Sequence, residues 1–183
     1  MQTNTGGTGV KLMTLPNLIS ALRLPIAAAF LAVDGVLWRG LLLFFGGVTD
    51  AMDGWLARKL GVQSEAGAVI DPLFDKLFVI IALAAFLREP YLSWPEFAVL
   101  ISRDLYVGSG FIVAKTIRVA VSVRSRFSGK LVTFLQLVTL FVLLFTPGQV
   151  DLFVVVVGVA SVIAILDYTS AGIASLRKRH QEA

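Results

Sequence analysis

Cysteine is absent from the 183-residue chain, and its only histidine, His180, lies close to the C-terminus. Without thiolates the chain can form no disulfide, and a zinc or other soft-metal site is not expected. Charged residues are also scarce, since Asp, Glu, Lys and Arg together make up only 15% of the chain. A surface so poor in charge argues against a soluble domain.

Apolar residues are abundant instead, at 57% of the chain, with a mean hydropathy of +0.84. Six apolar runs are each close to the roughly 20 residues that a helix needs to cross a bilayer. They cover residues 15–33, 37–57, 67–87, 95–117, 129–145 and 152–176. Because a spanning segment must satisfy its own backbone hydrogen bonds, helices are the expected form. The sequence therefore predicts an all-α integral membrane protein, a bundle of six transmembrane helices.

The expected domain occupies residues 12–176, between a polar, mobile N-terminal tail at 1–11 and a basic C-terminal tail at 177–183. The first apolar run follows Lys11 and has small residues near its end, as a signal peptide would. We expect it to be the first span, because its removal would leave the remaining spans with the wrong parity for the distribution of charge.

Basic residues in the connections orient the predicted bundle. Ten of them fall on one side, whereas only Arg39 and Arg88 fall on the other. By the positive-inside rule both termini are then cytoplasmic, as is the connection between the second and third spans. The net charge of +4 is thus a topology signal, and no nucleic-acid partner is expected. The ten are Lys11, Arg58, Lys59, Arg118, Arg124, Arg126, Lys130, Arg177, Lys178 and Arg179.

Four aspartates lie inside segments that are otherwise apolar enough to span a membrane, namely Asp50, Asp53, Asp71 and Asp75. Residues three or four apart share a helix face, so each pair projects from one side of its own helix, and together they make one acidic pocket. Left unpaired, four such charges would cost on the order of 10 kcal/mol. Carboxylates are hard ligands that suit Mg²⁺, Mn²⁺ or Ca²⁺, and four could hold two ions. The pocket would open toward the cytosol.

Small residues surround the acidic pairs. Gly54 and Ala57 follow the first pair, and Gly67 precedes the second by one turn. They leave room for the phosphates of a ligand to approach the backbone and the metals, although small residues also simply let membrane helices pack. Arg58 adds a fixed positive charge suited to bidentate contact with a phosphate.

The stretch from Asp50 to Asp75 resembles the complete signature of the CDP-alcohol phosphotransferase family, also called the CDP-alcohol phosphatidyltransferases. The match is Asp50-x-x-Asp53-Gly54-x-x-Ala57-Arg58, eight residues, then Gly67-x-x-x-Asp71-x-x-x-Asp75. The resemblance implies a membrane enzyme that moves a substituted phosphate from a CDP-linked donor, often CDP-diacylglycerol, onto an alcohol and releases CMP. It also implies that the last aspartate, Asp75, acts as the base, with two ions, Mg²⁺ or Mn²⁺, at the aspartates, and that the protein is a homodimer.

Basic residues within or beside the apolar runs are candidates for binding the acceptor. Arg23 resembles part of the polar face that the family's first helix turns toward the site, or else extends to the membrane interface. Arg103, followed by Asp104, either binds an acceptor phosphate or is neutralised within the bundle. Arg118 and Lys130 belong to a basic connection that could bind an anionic acceptor or lipid headgroups. Alternatively, the connection only sets the orientation of the helices in the membrane.

The acceptor is the least determined part of the prediction. The segments ISRD and SGKLVTFLQ resemble the branches of the family that use glycerol 3-phosphate or phosphatidylglycerol. The first would yield phosphatidylglycerophosphate, which we favour, and the second cardiolipin. The branch that uses glycerol 3-phosphate is expected to carry glutamate at the position of Asp104. The aspartate found there keeps the phosphatidylglycerol branch open as an alternative. More distant alternatives are a cation transporter and a prenyltransferase. No eukaryotic targeting segment is recognisable, so we expect a bacterial inner membrane.

Overall fold

A computed structural model describes the backbone of residues 20–60, 67–116 and 126–182; the side chains at 50, 51, 53–58, 60, 67–72, 115 and 175–182 lie outside that description. These ranges consist of helices joined by short connections and contain no strand, which confirms the predicted all-α fold. Short 3₁₀ turns occur at Phe86–Arg88 and Pro147–Gln149. Within the described ranges, the helices that we number are α1 Arg23–Ala32, α2 Val36–Leu60, α3 Gly67–Ala85, α4 Trp94–Thr116, α5 Phe127–Phe145 and α6 Val150–Glu182.

Three stretches of the described chain are long and apolar enough to cross a membrane: Trp94–Ala114, Phe127–Phe145 and Pro147–Ala174. Shorter apolar helices cover Arg23–Ala32 and Val36–Thr49. Much of the apolar surface on the long helices is exposed, as at Phe134, Val155 and Leu166. Helices that are apolar on their outer faces suit contact with lipid, so the chain is an integral membrane protein.

Two connections show why helices begin where they do. Gly35 has a φ of +95°, a left-handed conformation that favours glycine, in the turn between α1 and α2. At the start of α4, Glu96 accepts hydrogen bonds from the backbone N–H of Ser93 at 2.7 Å and from its hydroxyl at 2.6 Å. The first of these bonds satisfies the backbone N–H of Ser93, a group that the first turn leaves without a partner.

The first of two compact units comprises residues 1–81. Within it α1 packs against α2, and Ala27, Phe30 and Leu43 are buried. The Arg39 guanidinium, also buried, donates from Nε to the carbonyl oxygen of Val33 at 3.1 Å and lies over the Phe30 ring. The start of α2 is thereby fixed to the end of α1.

The second unit comprises residues 82–183 and is built around α6, which packs against both α4 and α5. Its buried apolar residues include Leu100, Val132, Leu140 and Val157. Five polar side chains of the described part of this unit are buried, and three of them, Arg103, Asp104 and Gln136, belong to one hydrogen-bonded network. The other two are Thr139, whose hydroxyl bonds within its own helix, and Ser161.

Candidate active site

The aspartate motif lies on two consecutive helices of the first unit. Its first half, Asp50 to Arg58, is on α2, and its second half, Gly67 to Asp75, is on α3. The backbone is helical at every one of these positions, so members of each aspartate pair share one helix face. Of the eight motif side chains, the structure describes Asp75. The convergence of the other seven therefore stays a prediction.

A close contact brings α2 and α3 together beside the motif. A Cβ atom at Gly46 would lie only 2.7 Å from the tip of the Phe78 ring. Since α2 continues from this contact to residue 60 and α3 returns from residue 67, we infer that the helices run antiparallel. Asp50 and Asp75 then lie on the same side of the contact, about 6 Å and 4.5 Å along their helices at a rise of about 1.5 Å per residue. Gly46 thus permits the close approach of α2 and α3 beside the motif.

Asp75 forms an ion pair with Arg23, the first residue of α1. The Arg23 side chain is buried, whereas that of Asp75 is 42% exposed. Asp75 Oδ1 is the buried oxygen and faces the guanidinium, so the exposed part of this carboxylate includes Oδ2. A buried arginine needs a nearby negative charge, and this one is supplied by the last residue of the motif. The Arg23 side chain is therefore directed into the protein.

No group of three or more acidic or histidine side chains that could hold a metal ion occurs among the side chains that the structure describes. Asp50, Asp53 and Asp71 fall outside that set. The donor types present in the motif are carboxylates only, and these fit a hard divalent cation.

A second polar cluster lies in the second unit, where Arg103 and Asp104 on α4 are both buried. Arg103 donates from Nη1 to Asp104 Oδ1 at 2.7 Å and from Nη2 to the Tyr168 hydroxyl at 3.1 Å. Its guanidinium carbon lies 5.2 Å from the centroid of the Tyr168 ring. Arg103 Nε is buried and has no hydrogen-bond partner in the part of the chain that the structure describes.

The guanidinium of Arg103 also reaches the beginning of α5. A Cβ atom at Gly129 would overlap Arg103 Nη2 and lie 2.6 Å from the Tyr168 hydroxyl, so only glycine leaves the space that both groups occupy. The next residue, Lys130, is exposed. Arg126, which precedes α5, forms no side-chain capping bond there. The buried Arg103 guanidinium thus lies beside the positive, N-terminal end of α5, an arrangement that attracts an anion.

An ion pair between Arg126 and Asp167 joins the start of α5 to α6. Arg126 donates from Nε to Asp167 Oδ2 at 2.7 Å and from Nη2 to Oδ1 at 2.5 Å, and the Ser128 hydroxyl donates to Oδ2 at 2.6 Å. The hydrogen bonds to Asp167 raise the pKa of the Arg126 guanidinium above its usual value. Sequence reasoning did not identify this pair. The available signal was an acid in an apolar run facing a basic connection.

Comparison with known proteins decides the family. A profile of the CDP-alcohol phosphatidyltransferases matches residues 13–166, which is most of the chain and includes the whole aspartate motif. The chain belongs to the CDP-alcohol phosphatidyltransferase family. The resemblance identified from the motif is confirmed.

Relatives within the family carry two kinds of name. A protein of Mycobacterium tuberculosis strain H37Rv, provisionally named cardiolipin synthase, is 33% identical over 98 residues, or 51% of this chain and 47% of that protein. One from Aquifex aeolicus, named CDP-diacylglycerol–glycerol-3-phosphate 3-phosphatidyltransferase, is 29% identical over 171 residues, covering 87% of this chain and 96% of its own. A Pseudomonas fluorescens protein of the same name is 34% identical over 112 residues, which cover 53% of this chain and 54% of that protein. The chain thus spans about half the length of the mycobacterial relative.

For this CDP-alcohol phosphatidyltransferase, the structure brings some predicted site residues together. Arg23 contacts Asp75 in the first unit, and Arg103 lies against the residue that precedes Lys130 in the second. Arg118 lies outside the described residues. Sequence reasoning gave Gly129 no part in the site, because its closeness to Arg103 depends on how α4 and α5 pack.

Proposed function

We propose that this chain transfers the phosphatidyl group of CDP-diacylglycerol to glycerol 3-phosphate, producing phosphatidylglycerophosphate and CMP. The observation that carries the proposal is the complete aspartate motif on α2 and α3, two helices in contact at Gly46 and Phe78. The names of the Aquifex and Pseudomonas relatives support the same donor and acceptor.

The acidic pocket is proposed to bind two divalent ions, Mg²⁺ or Mn²⁺, through Asp50, Asp53, Asp71 and Asp75. Bound there, the ions would neutralise the negative charge of the donor diphosphate. Arg58 would contact the phosphate that leaves with CMP, and its permanent charge would stabilise that leaving group. Gly54, Ala57 and Gly67 would leave room for the nucleotide.

Asp75 is proposed to act as the base. The acceptor hydroxyl gives its proton to the exposed oxygen of Asp75 while its oxygen bonds to the phosphorus of the phosphatidyl group. The bond from that phosphorus to the oxygen of CMP breaks, and CMP leaves with the bonding electrons. Arg23, which contacts the other Asp75 oxygen, orients the carboxylate and stabilises its charged form.

The cluster around Arg103 is proposed to bind the phosphate of the acceptor. Arg103 and Lys130 supply positive charge beside the N-terminal end of α5, and Nε of Arg103 is a buried donor without a protein partner in the described chain. A phosphate oxygen would satisfy that donor, whose burial without a partner is costly. Arg118, in the same basic connection, would add further charge.

The proposed topology follows from the basic connections. Six helices would span a bacterial inner membrane, with both termini and the acidic pocket on the cytosolic side, where CDP-linked donors and CMP occur. The domain is proposed to cover residues 12–176, between tails at 1–11 and 177–183, and to form a homodimer, as the family resemblance implies.

Cardiolipin synthesis with phosphatidylglycerol as the acceptor is the second candidate. It is favoured by the mycobacterial relative and by Asp104, which stands where glutamate is expected in the first branch. Membership of the family argues against a cation transporter and a prenyltransferase.

Release of CMP by the purified protein tests the proposal. The protein is supplied with CDP-diacylglycerol and Mg²⁺ or Mn²⁺, and glycerol 3-phosphate, phosphatidylglycerol and inositol 1-phosphate are compared as acceptors. We expect release with glycerol 3-phosphate alone. Release only with phosphatidylglycerol would support cardiolipin synthesis, and no release with any acceptor under either metal would contradict the proposed transfer.

A further inference from the structure

A chain of buried hydrogen bonds leads from Gln136, in the middle of α5, to the guanidinium of Arg103. Gln136 is 1% exposed, and its amide nitrogen donates to Asp104 Oδ2 at 2.8 Å and to the carbonyl oxygen of Leu100 at 2.7 Å. The other oxygen of Asp104 accepts from Arg103 at 2.7 Å. The amide therefore fixes the carboxylate that in turn holds the arginine.

Both hydrogens of the Gln136 amide are used in these contacts, and both point at α4. Burying an amide in an apolar helix is unfavourable unless its hydrogen bonds are made, so the side chain has little freedom to turn elsewhere. Its bond to the Leu100 carbonyl anchors it to the α4 backbone one turn before Asp104. The orientation of the Asp104 carboxylate is consequently determined by a residue of the neighbouring helix.

Arg103 is restrained from two further directions. Tyr168 accepts from Nη2 and lies beside the guanidinium, and Gly129 leaves the space into which Nη2 extends. Asp104 is the acidic partner that holds Nη1. Nε is then the one guanidinium nitrogen of Arg103 that has no hydrogen-bond partner in the described part of the chain, and we assign it to a ligand. An arginine held in place before binding loses less conformational entropy when an anion arrives.

We propose that Gln136 is a positioning residue for the acceptor phosphate, acting through Asp104 to hold Arg103 in the orientation that binds it. The inference rests on the proposed function, in which Arg103 binds that phosphate. Gln136 itself does not contact the acceptor or any reacting atom. Its effect should therefore appear in the affinity for the acceptor and not in the affinity for the donor.

The variant Gln136→Met tests the inference, because methionine fills a similar volume without donating hydrogen bonds. We expect KM for glycerol 3-phosphate to rise about tenfold, the scale of ordering one long side chain. The KM for CDP-diacylglycerol and kcat should stay within about twofold of the wild type. Equal changes in the two KM values would overturn the inference, since they would indicate general damage.

Thr139→Val is the matched control. Thr139 is fully buried on the same helix, three residues from Gln136, and its hydroxyl donates to the Leu135 carbonyl of its own helix at 2.8 Å. The substitution removes a buried polar group without touching the network. We expect it to lower thermal stability in detergent about as much as Gln136→Met does and to leave the acceptor KM unchanged. A rise in acceptor KM in this variant too would overturn the inference.

A double-mutant cycle tests whether Gln136 acts through Asp104. In an Asp104→Asn background, the carboxylate that connects Gln136 to Arg103 is lost. Gln136→Met should then raise the acceptor KM by less than about twofold, although it raises it about tenfold in the wild-type background. The same tenfold effect in both backgrounds would show that Gln136 acts independently of Asp104 and would overturn the inference.

A binding measurement separates this inference from the proposed function. Calorimetric titration of the full-length protein with glycerol 3-phosphate requires no turnover. Weaker binding in Gln136→Met than in the wild type supports positioning even if no acceptor gives CMP release, an outcome that would contradict only the transfer reaction. Identical binding in the two proteins, or no binding by the wild type, would overturn the inference.

Discussion

The ion pair between Arg23 and Asp75 connects the first helix to the last residue of the aspartate motif. Asp75 keeps 42% of its side chain exposed while one oxygen is held by a buried guanidinium. This geometry distinguishes Asp75 from a carboxylate that is merely neutralised, because one oxygen is fixed and the remainder is open to a ligand. It also gives α1 a part in the proposed site, although α1 carries no residue of the motif.

Replacing Arg23 by glutamine should reduce both stability and turnover. Losing one partner of a buried ion pair costs about 3–5 kcal/mol, and we expect about 1–2 kcal/mol here because Asp75 is partly exposed. Turnover should fall roughly tenfold because the base is no longer oriented. Thermal unfolding in detergent and CMP release would measure the two effects. The double variant Arg23→Gln, Asp75→Asn should recover most of the stability and none of the activity.

Gly46→Ala should destabilise the first unit by about 1–3 kcal/mol, because the new methyl group collides with Phe78. Gly47→Ala is the control, since nothing lies within 4 Å of a Cβ atom there. Alanine at 47 should be neutral or stabilising by up to about 1 kcal/mol, as alanine favours a helix over glycine. Unfolding midpoints of the two variants provide the comparison. Equal midpoints would contradict the close approach of α2 and α3.

Gly129→Ala should displace the Arg103 guanidinium, because the added Cβ atom would overlap both Nη2 and the Tyr168 hydroxyl. We expect the KM for glycerol 3-phosphate to rise tenfold or more, about 1.4 kcal/mol of lost binding, with little change in the KM for CDP-diacylglycerol. Steady-state kinetics with each substrate varied in turn would measure this. Gly172→Ala, where a Cβ atom meets nothing within 4 Å, should behave as the wild type.

The helices were predictable because hydropathy alone separates apolar runs from their connections. α5 was predicted at 129–145 and occupies Phe127–Phe145, and α3 was predicted at 67–87 and occupies Gly67–Ala85. The last helix was predicted to end at residue 176 and continues to Glu182. Hydropathy identifies the part of a helix that suits lipid, and a helix can continue into water beyond it.

The aspartate motif could also be read from the chain, since its members are separated by fixed, helical spacings. The side-chain contacts of the second unit could not be predicted from the sequence. The Arg126–Asp167 pair joins residues 41 positions apart, and the link from Gln136 to Asp104 joins residues 32 apart. Such contacts depend on how α4, α5 and α6 pack, which periodicity along one helix does not encode. The sequence indicated that these residues are polar in apolar surroundings but not which partner each would find.

The most direct test of the central claim is to compare turnover with donor binding in the variant Asp75→Asn. Asparagine has nearly the shape of aspartate but cannot accept the proton of the acceptor hydroxyl. The account predicts that CMP release is abolished while binding of CDP-diacylglycerol, measured by titration in the presence of Mg²⁺, is largely retained. Loss of binding together with turnover would contradict the role of Asp75 as base and would leave it with metal binding alone.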